Sequence, residues 1–440
     1  MIDPAQGIDR IADVLISNGK IVDIVDASSG ATYDDHEVID ASCKIVAPGF
    51  VDLHTHLRDP GQEWKETIVT GTKAAAHGGF TTISAMPNTD PVQDSAAVVD
   101  DVMRRAAADG VVRVLPIGAI SVGQKGNQLA PMGELADSGV IGFSDDGNPV
   151  ADANLMRQAL SYSVELGLPI INHAEDKKIG AGGVMSAGAV ATRLGLAGVP
   201  SEAETTMVVR DLQLADLTKA RLHVPHISTI GSLVALRSAK ERGVDVTAEV
   251  TPHHLTLNDE WVFGLHGEVP STVGSEAYDT NTKVNPPLRS RADVEAVIEA
   301  LSDGLIDIIA TDHAPHAATD KVCTYNEAAL GINVLETAFS SVFGLVDTGK
   351  LSVVRLIESL TAGPAAILRK DLGSLKKGFS ADVVIIDPGS KWVVDPTQFE
   401  SKSVNSPLAG VELAGRVVQT IYQGETVFEV SENVNVGVGQ

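Results

Sequence analysis

From about Pro48 onward, short apolar runs alternate with longer amphipathic stretches, the pattern of β/α units laid around a parallel sheet. Eight of these runs read as strands, over 49–53, 80–85, 112–118, 140–143, 168–171, 221–225, 244–250 and 307–310. Eight is the number that closes a (β/α)8 TIM barrel, so the expected class is α/β. Helical periodicity lies between them, over 95–108, 201–215, 289–301 and 351–360. Ser95 is a candidate cap for the first of these helices, and Glu202 and Glu204 place negative charge in the first turn of the second. The two ends read differently. Residues 11–40 and 381–430 alternate with period two and carry Asn-Gly, Gly-Lys and Pro-Gly turns. Neither end has the apolar surface for a core of its own, so a small β-sandwich built from both termini, 1–47 with 369–440, is expected beside a barrel over 48–368. Two separate appendages are the alternative.

Composition narrows the partners. Hydrophobic residues make up 44% of the 440 but aromatics only 4%, which leaves branched aliphatics to fill a barrel interior. A net charge of -25 repels phosphate backbones and anionic lipid, so no nucleic-acid or membrane partner is expected. An anionic small molecule would then need a local cluster of cations. Cys43 and Cys323 cannot build a disulfide framework, and the sequence opens without a basic-then-apolar leader, so a cytoplasmic protein is expected. There is no Gly-x-Ser-x-Gly elbow or phosphate-binding Walker loop, and Gly180-Ala181-Gly182-Gly183 does not join a strand to a helix as dinucleotide binding requires.

The chemistry sits where the strands end. Strand one runs into His54 and His56, strand two into Asn88, strand four into Asp145-Asp146, strand five into His173, strand six into His226, strand seven into His253-His254, and strand eight into Asp312, His313 and His316. Carboxyl ends of barrel strands form one rim, where active sites of this architecture are built. Two residues apart on an extended strand, His54 and His56 point to one side and can share an ion. His173 and His226 each read singly as structural, but their matching places suggest a second ion. Asp146 can bridge two cations with its two oxygens, or be an ordinary turn acid before Gly147. Asp312 can touch a metal and shuttle a proton, or simply cap the next segment.

Arg58, Asn88, Asn285 and His316 form the expected recognition set for a carboxylate and an amide edge. Their bland alternatives are a surface ion pair for Arg58, a turn for Asn88 and loop geometry for Asn285. His253 and His254 read either as hydrogen-bonding supports behind the ligands or as packing residues. His36, His77, His223 and His266 read as structural, and His313 as a loop brace.

These segments resemble the amidohydrolase superfamily and, within it, the bacterial class I dihydroorotases. The likeness rests on Asp52-Leu53-His54-Thr55-His56-Leu57-Arg58-Asp59-Pro60, Met86-Pro87-Asn88-Thr89, Asn172-His173-Ala174-Glu175-Asp176, Thr251-Pro252-His253-His254-Leu255, Lys283-Val284-Asn285-Pro286-Pro287 and Ala310-Thr311-Asp312-His313-Ala314-Pro315-His316. It implies two zinc ions per chain, one on His54, His56 and Asp312 and the other on His173 and His226, with Asp146 bridging. Hydantoinases and allantoinases are similar but bridge with a carboxylated lysine, and residues 139–147 contain no lysine. The implied reaction is the reversible closure of N-carbamoyl-L-aspartate to L-dihydroorotate in pyrimidine biosynthesis, by metal-activated hydroxide with Asp312 as proton shuttle. Arg58, Asn88 and His316 would hold the substrate carboxylate, Asn285 the ring or carbamoyl edge, and Leu330 and Gly331 the substrate loop. A homo-oligomer is implied, with aspartate transcarbamoylase as a candidate partner. The alternatives are a hydantoinase or allantoinase, or a non-catalytic partner of that transcarbamoylase. Relatives usually carry an extra strand before Ile2-Asp3-Pro4, and a Pro-Phe pair where Ala329-Leu330 stands here.

Overall fold

In a computed structural model, which describes residues 1–26 and 37–430, the middle of the chain carries eight parallel strands in two sheets, besides a short parallel pair, Met185–Ser186 with Gly198–Val199. Phe50–Thr55, Phe80–Ala85 and Arg113–Pro116 form the first sheet. Phe143–Ser144, Ile170–Ile171, Leu222–Val224, Val246–Val250 and Ile308–Ile309 form the second, side by side in chain order. Single parallel bridges run between them, from Gly118 to Phe143 and from Thr55 to His313, the latter backed by His56 N donating to the His313 carbonyl at 2.9 Å. A helix follows each strand: Ile68–His77, Ala96–Asp109, Met132–Asp137, Ala153–Leu166, Glu202–Thr218, Ile230–Glu241, Arg291–Ser302 and Val353–Leu360.

The strands are mostly shorter than the apolar runs that foretold them. Val140, Ile141 and Ile117 are buried without lying in a named strand, because burial alone keeps a flanking residue apolar. Ser95 stands at the expected N-cap position, but its side chain makes no capping bond, and only its carbonyl closes the first turn, accepting from Val98 N and Val99 N at 3.2 Å. Side-chain caps come instead from Thr67, Asp152, Thr229, Thr251, Ser290 and Ser352, each accepting a backbone N–H of its first turn. The core is mainly aliphatic, with Phe143 and an aromatic cluster where Phe50 meets Phe80 edge-on at 5.6 Å and stacks on Phe339 at 5.5 Å.

Packed against the helices Ile68–His77 and Ala338–Asp347, Ile45–Pro48, Val383–Val393, Glu412–Tyr422 and Glu425–Glu429 make an antiparallel sheet. The hairpin Ala12–Ser17 with Lys20–Asp26 meets the C-terminal part through Ile21 N to Phe379 O at 3.0 Å and Gly378 N to Ile21 O at 2.8 Å. Ile21 packs there with Leu375, Ala381, Val383 and Ile421. Part of the alternation expected over 11–40, and His36 with it, lies outside the described residues. Among the described residues no helix is long and apolar enough to cross a membrane.

Candidate metal centre and substrate rim

Two buried aspartates set the geometry without facing the centre. Asp52 accepts from His54 N at 3.1 Å, Thr311 N at 3.0 Å and Thr311 Oγ1 at 2.5 Å, stitching the first strand to the segment after the eighth. Burial pushes its carboxyl up to about 6 against those bonds. Asp145 does the same on the fourth strand, accepting from Ile120 N at 2.9 Å, Ser121 N at 3.0 Å and the Ser121 hydroxyl. With Asp145 spent on the turn, Asp146 points inward.

Asp146 has one oxygen toward each histidine pair. Its Oδ2 lies 3.4 Å from Nε2 of both His54 and His56, and its Oδ1 lies 3.3 Å from His173 Nδ1 and 3.4 Å from His226 Nε2. Asp312 Oδ1 lies 3.2 Å from His56 Nε2 and 3.4 Å from His54 Nε2. His173 Nδ1 and His226 Nε2 are 2.9 Å apart. The side chains thus converge as His54, Asp146, His226 and as His54, His56, Asp312, all buried.

The outer ring nitrogens show which way the lone pairs face. His54 Nδ1 meets Glu249 Oε1 at 2.5 Å, His56 Nδ1 meets Asn88 Oδ1 at 2.8 Å, and His173 Nε2 meets Glu175 Oε2 at 3.2 Å. An oxygen of this kind only accepts, so the outer nitrogens of His54 and His56 carry the proton and the inner nitrogens of the neutral rings present lone pairs, whereas His173 Nε2 also faces the Asn285 Nδ2 donor at 3.1 Å. His54 Nε2 is buried with no hydrogen-bond partner at all. A set of imidazole nitrogens and carboxylate oxygens aimed at two shared points suits zinc.

The electrostatics agree with that fit. Burial pulls the His54 imidazole down, yet Asp146, Glu249 and Asp312 outweigh it and hold it well above its ordinary value. Against burial, His54 and its neighbours hold Asp146 well below the carboxylate range and Asp312 at about 2. His173 rises to about 9, the hydrogen bond to Asp146 overcoming burial. The carboxylates demand positive charge at this point, and a divalent cation would supply it in place of imidazolium protons.

Beside the histidines the recognition candidates behave differently. Arg58, only 7% exposed, is no surface residue: its Nε donates to the Pro315 carbonyl at 3.3 Å, and no carboxylate pairs with it among the described residues. Burial lowers it to about 10, which leaves it charged at neutral pH. Asn88 spends its side-chain carbonyl on His56, and Asn285 Nδ2 donates to Glu175 Oε2 at 3.0 Å. His316 is pressed down to about 2 by burial and by Arg58, so it is neutral. Its Nε2 is bonded to the Leu330 carbonyl at 2.9 Å, while its Nδ1 has no hydrogen-bond partner. Leu330 is 46% exposed. Gly331 sits at φ +131°, and a Cβ there would come within 2.6 Å of Ala314 and 3.2 Å of His316 Nε2, so only glycine fits.

Several supporting residues had escaped the reading of the sequence. Lys321 Nζ donates to the carbonyls of Ala329 at 2.7 Å, Thr280 at 3.1 Å and Lys283 at 3.3 Å, tying together the loops that carry Asn285, Leu330 and Gly331. The stretch 401–405 reaches back from the C-terminal part. Asn405 Oδ1 accepts from His316 N at 3.2 Å, its Nδ2 donates to the Gly331 carbonyl at 3.0 Å, and Ser401 Oγ donates to Glu66 Oε2 at 2.5 Å. Glu249 lies inside the apolar run 244–250 together with Asp245, and an acid within such a run was the one visible signal of its role. His254 holds the loop before Asn285, bonding Thr251 Oγ1 at 2.7 Å and the Pro286 carbonyl at 3.0 Å, whereas both ring nitrogens of buried His253 lack hydrogen-bond partners. His313 braces Glu66 at 3.2 Å and takes no part in the converging sets.

Known proteins resemble this chain in sequence and in shape. A family model described as Dihydro-orotase-like matches residues 43–232. A dihydroorotase from Anaeromyxobacter dehalogenans is 50% identical over 429 residues, which cover 98% of this chain and 96% of that one. A second, from Geobacter metallireducens, is 48% identical over 432 residues and 98% of each chain. Among solved structures, L-hydantoinase (dihydropyrimidinase) from Arthrobacter aurescens superposes with a TM-score of 0.82 at 26% identity, covering 96% of this chain and 93% of that one. With about half its residues shared along nearly its whole length, the chain belongs to the dihydroorotase family.

Proposed function

We propose that the protein is a zinc-dependent dihydroorotase that interconverts N-carbamoyl-L-aspartate and L-dihydroorotate in pyrimidine biosynthesis. What carries this reading is one buried rim that holds both a carboxylate shared between two histidine pairs and a guanidinium with no carboxylate of its own. His54, His56 and Asp312 would hold one zinc ion and His173 and His226 the other, with Asp146 on both. When bound, such a pair supplies water acidified to a pKa of about 7 and polarises an amide carbonyl.

The chain's own groups account for the rest. Asp312, ionised at neutral pH, takes the proton released as water adds to the ring carbonyl. It returns that proton to the ring nitrogen as the C–N bond breaks, and ring closure runs the same transfers backward. Arg58 meets the substrate carboxylate in a bidentate pair, which satisfies a buried cation that otherwise lacks a counter-ion. Asn88 Nδ2 is free to join it, because only the carbonyl of that amide is engaged by His56. His316 donates through Nε2 once the carboxylate replaces the Leu330 carbonyl, and Asn285 offers its oxygen to the carbamoyl edge while Nδ2 stays on Glu175. Leu330 and Gly331 border the same space.

The reading includes a closed (β/α)8 barrel over 48–368, flanked by a β-sandwich domain from 1–47 and 369–440. The two bridges between the parallel sheets and the Ile21 contacts to the C-terminal part support it. It extends to a cytoplasmic homo-oligomer, with aspartate transcarbamoylase as the partner to test. The likeness in shape to a hydantoinase favours a second reading, a cyclic amidase for uncharged rings. The unpaired Arg58 speaks against it, since an uncharged ring would leave the guanidinium buried and unanswered.

The test is an assay of the purified chain on carbamoyl aspartate, dihydroorotate, hydantoin and allantoin, with and without a chelator. Chelator-sensitive turnover of the first two is expected. Turnover confined to hydantoin or allantoin, or no turnover after zinc is restored, would refute the proposal.

A further inference from the structure

Glu249 joins the two histidine pairs from behind. It stands on the strand Val246–Val250, 1% exposed, and is not one of the converging ligand groups. Its Oε1 receives His54 Nδ1 at 2.5 Å and the backbone N–H of His226 at 3.3 Å, so one oxygen touches a residue from each pair. Its Oε2 receives His223 Nε2 at 2.9 Å, and His223 Nδ1 lies 2.8 Å from Thr247 Oγ1. A carboxylate offers only acceptors, so His54 must keep its proton on Nδ1 and turn a lone pair inward. His223 must likewise donate through Nε2, which leaves Nδ1 to accept from the Thr247 hydroxyl.

We propose that Glu249 is a positioning residue: through the line Thr247, His223, Glu249, His54 it fixes the tautomer and aim of the first imidazole, and through the His226 amide it holds the distance between the two pairs. The inference rests on the metal reading of this site and not on which cyclic amide is the substrate. His226 occupies positive φ, +35°, a conformation costly for a non-glycine residue, and the Glu249 oxygen accepts the amide at that bend. His223, taken from its place in the sequence as structural, therefore acts on the centre at one remove.

The test is Glu249→Gln, which keeps shape but replaces one acceptor with a donor facing His223. Zinc affinity is measured by competition against a chromogenic chelator, alongside circular dichroism and the visible spectrum of the cobalt-loaded protein. Expected are a native fold, zinc affinity lower by about 10- to 100-fold, an altered cobalt spectrum, and turnover recovered by excess zinc. A folded variant that binds zinc within twofold of the wild type, with an unchanged cobalt spectrum, would overturn the inference while leaving the metal reading intact. A wild-type chain with no zinc affinity would sink both. Should Glu249→Gln fail to fold, Glu249→Asp carries the test: it keeps the charge but withdraws it by one methylene, with weaker zinc binding expected and unchanged binding again decisive against.

Discussion

The histidine side and the arginine side of the rim are built on opposite principles. On the first, three of the four rings have their outer nitrogen held by another side chain, Glu249, Asn88 or Glu175. On the second, the strongest charge, Arg58, pairs with no carboxylate among the described residues, and the His316 donor rests only on a backbone carbonyl, that of Leu330. A cage for ions is worth pre-aligning, because every degree of lost aim weakens each bond to the ion. A grip for a substrate gains by leaving its best donors unspent until the substrate arrives, since a buried cation paired in advance would have to break that pair.

That contrast can be broken at either side. The largest effect should come from chelation: turnover disappears and zinc restores it, while circular dichroism changes little because protein groups already brace the rings. Large loss of secondary structure on chelation would show that the cage is not preformed. Next, Asp312→Asn should lower kcat by about 10²- to 10⁴-fold with substrate affinity still measurable by calorimetry. An active Asn variant removes the proton shuttle from the scheme.

Arg58→Met probes the open side. A charge-assisted contact contributes about 2 kcal/mol, so KM for dihydroorotate should rise roughly 30-fold, with zinc content unchanged. Any residual turnover of dihydrouracil, a ring without the carboxylate, should be insensitive to the same change. Equal losses on both rings would mean that Arg58 supports the fold and does not read the carboxylate. The smallest effect is expected of Asn405→Ala, about 1 kcal/mol or roughly fivefold in KM, again with zinc affinity unmoved. A fall in zinc affinity there would erase the division between the two sides.

The converging histidines and aspartates were legible because the apolar runs mark where parallel strands stop, and a histidine or aspartate just past most of those stops stands out from its surroundings. The runs gave poorer strand boundaries, since burial extends past the named strands at Val140, Ile141 and Ile117. Ser95 marked the helix start, yet a serine before a helix reveals nothing about whether its hydroxyl reaches the first turn. Glu249 was hidden for a different reason: it meets His54 from 195 positions away, and no local periodicity encodes that meeting. The stretch 401–405 carried no pattern at all, and its bonds to Gly331 and to the His316 amide exist only once the distant segments are together.

That last stretch matters for anyone who edits the molecule. Because Asn405 bonds both the Gly331 carbonyl and the His316 amide, exchanging the stretch 401–405 between homologues is expected to alter whatever selectivity the proposed substrate loop confers. Trimming back to residue 400 would also remove the strands Glu412–Tyr422 and Glu425–Glu429 and buried Val417 and Ile421, so single changes at Asn405 are the cleaner edit. An engineer seeking a new substrate has a handle here that lies outside the catalytic pocket.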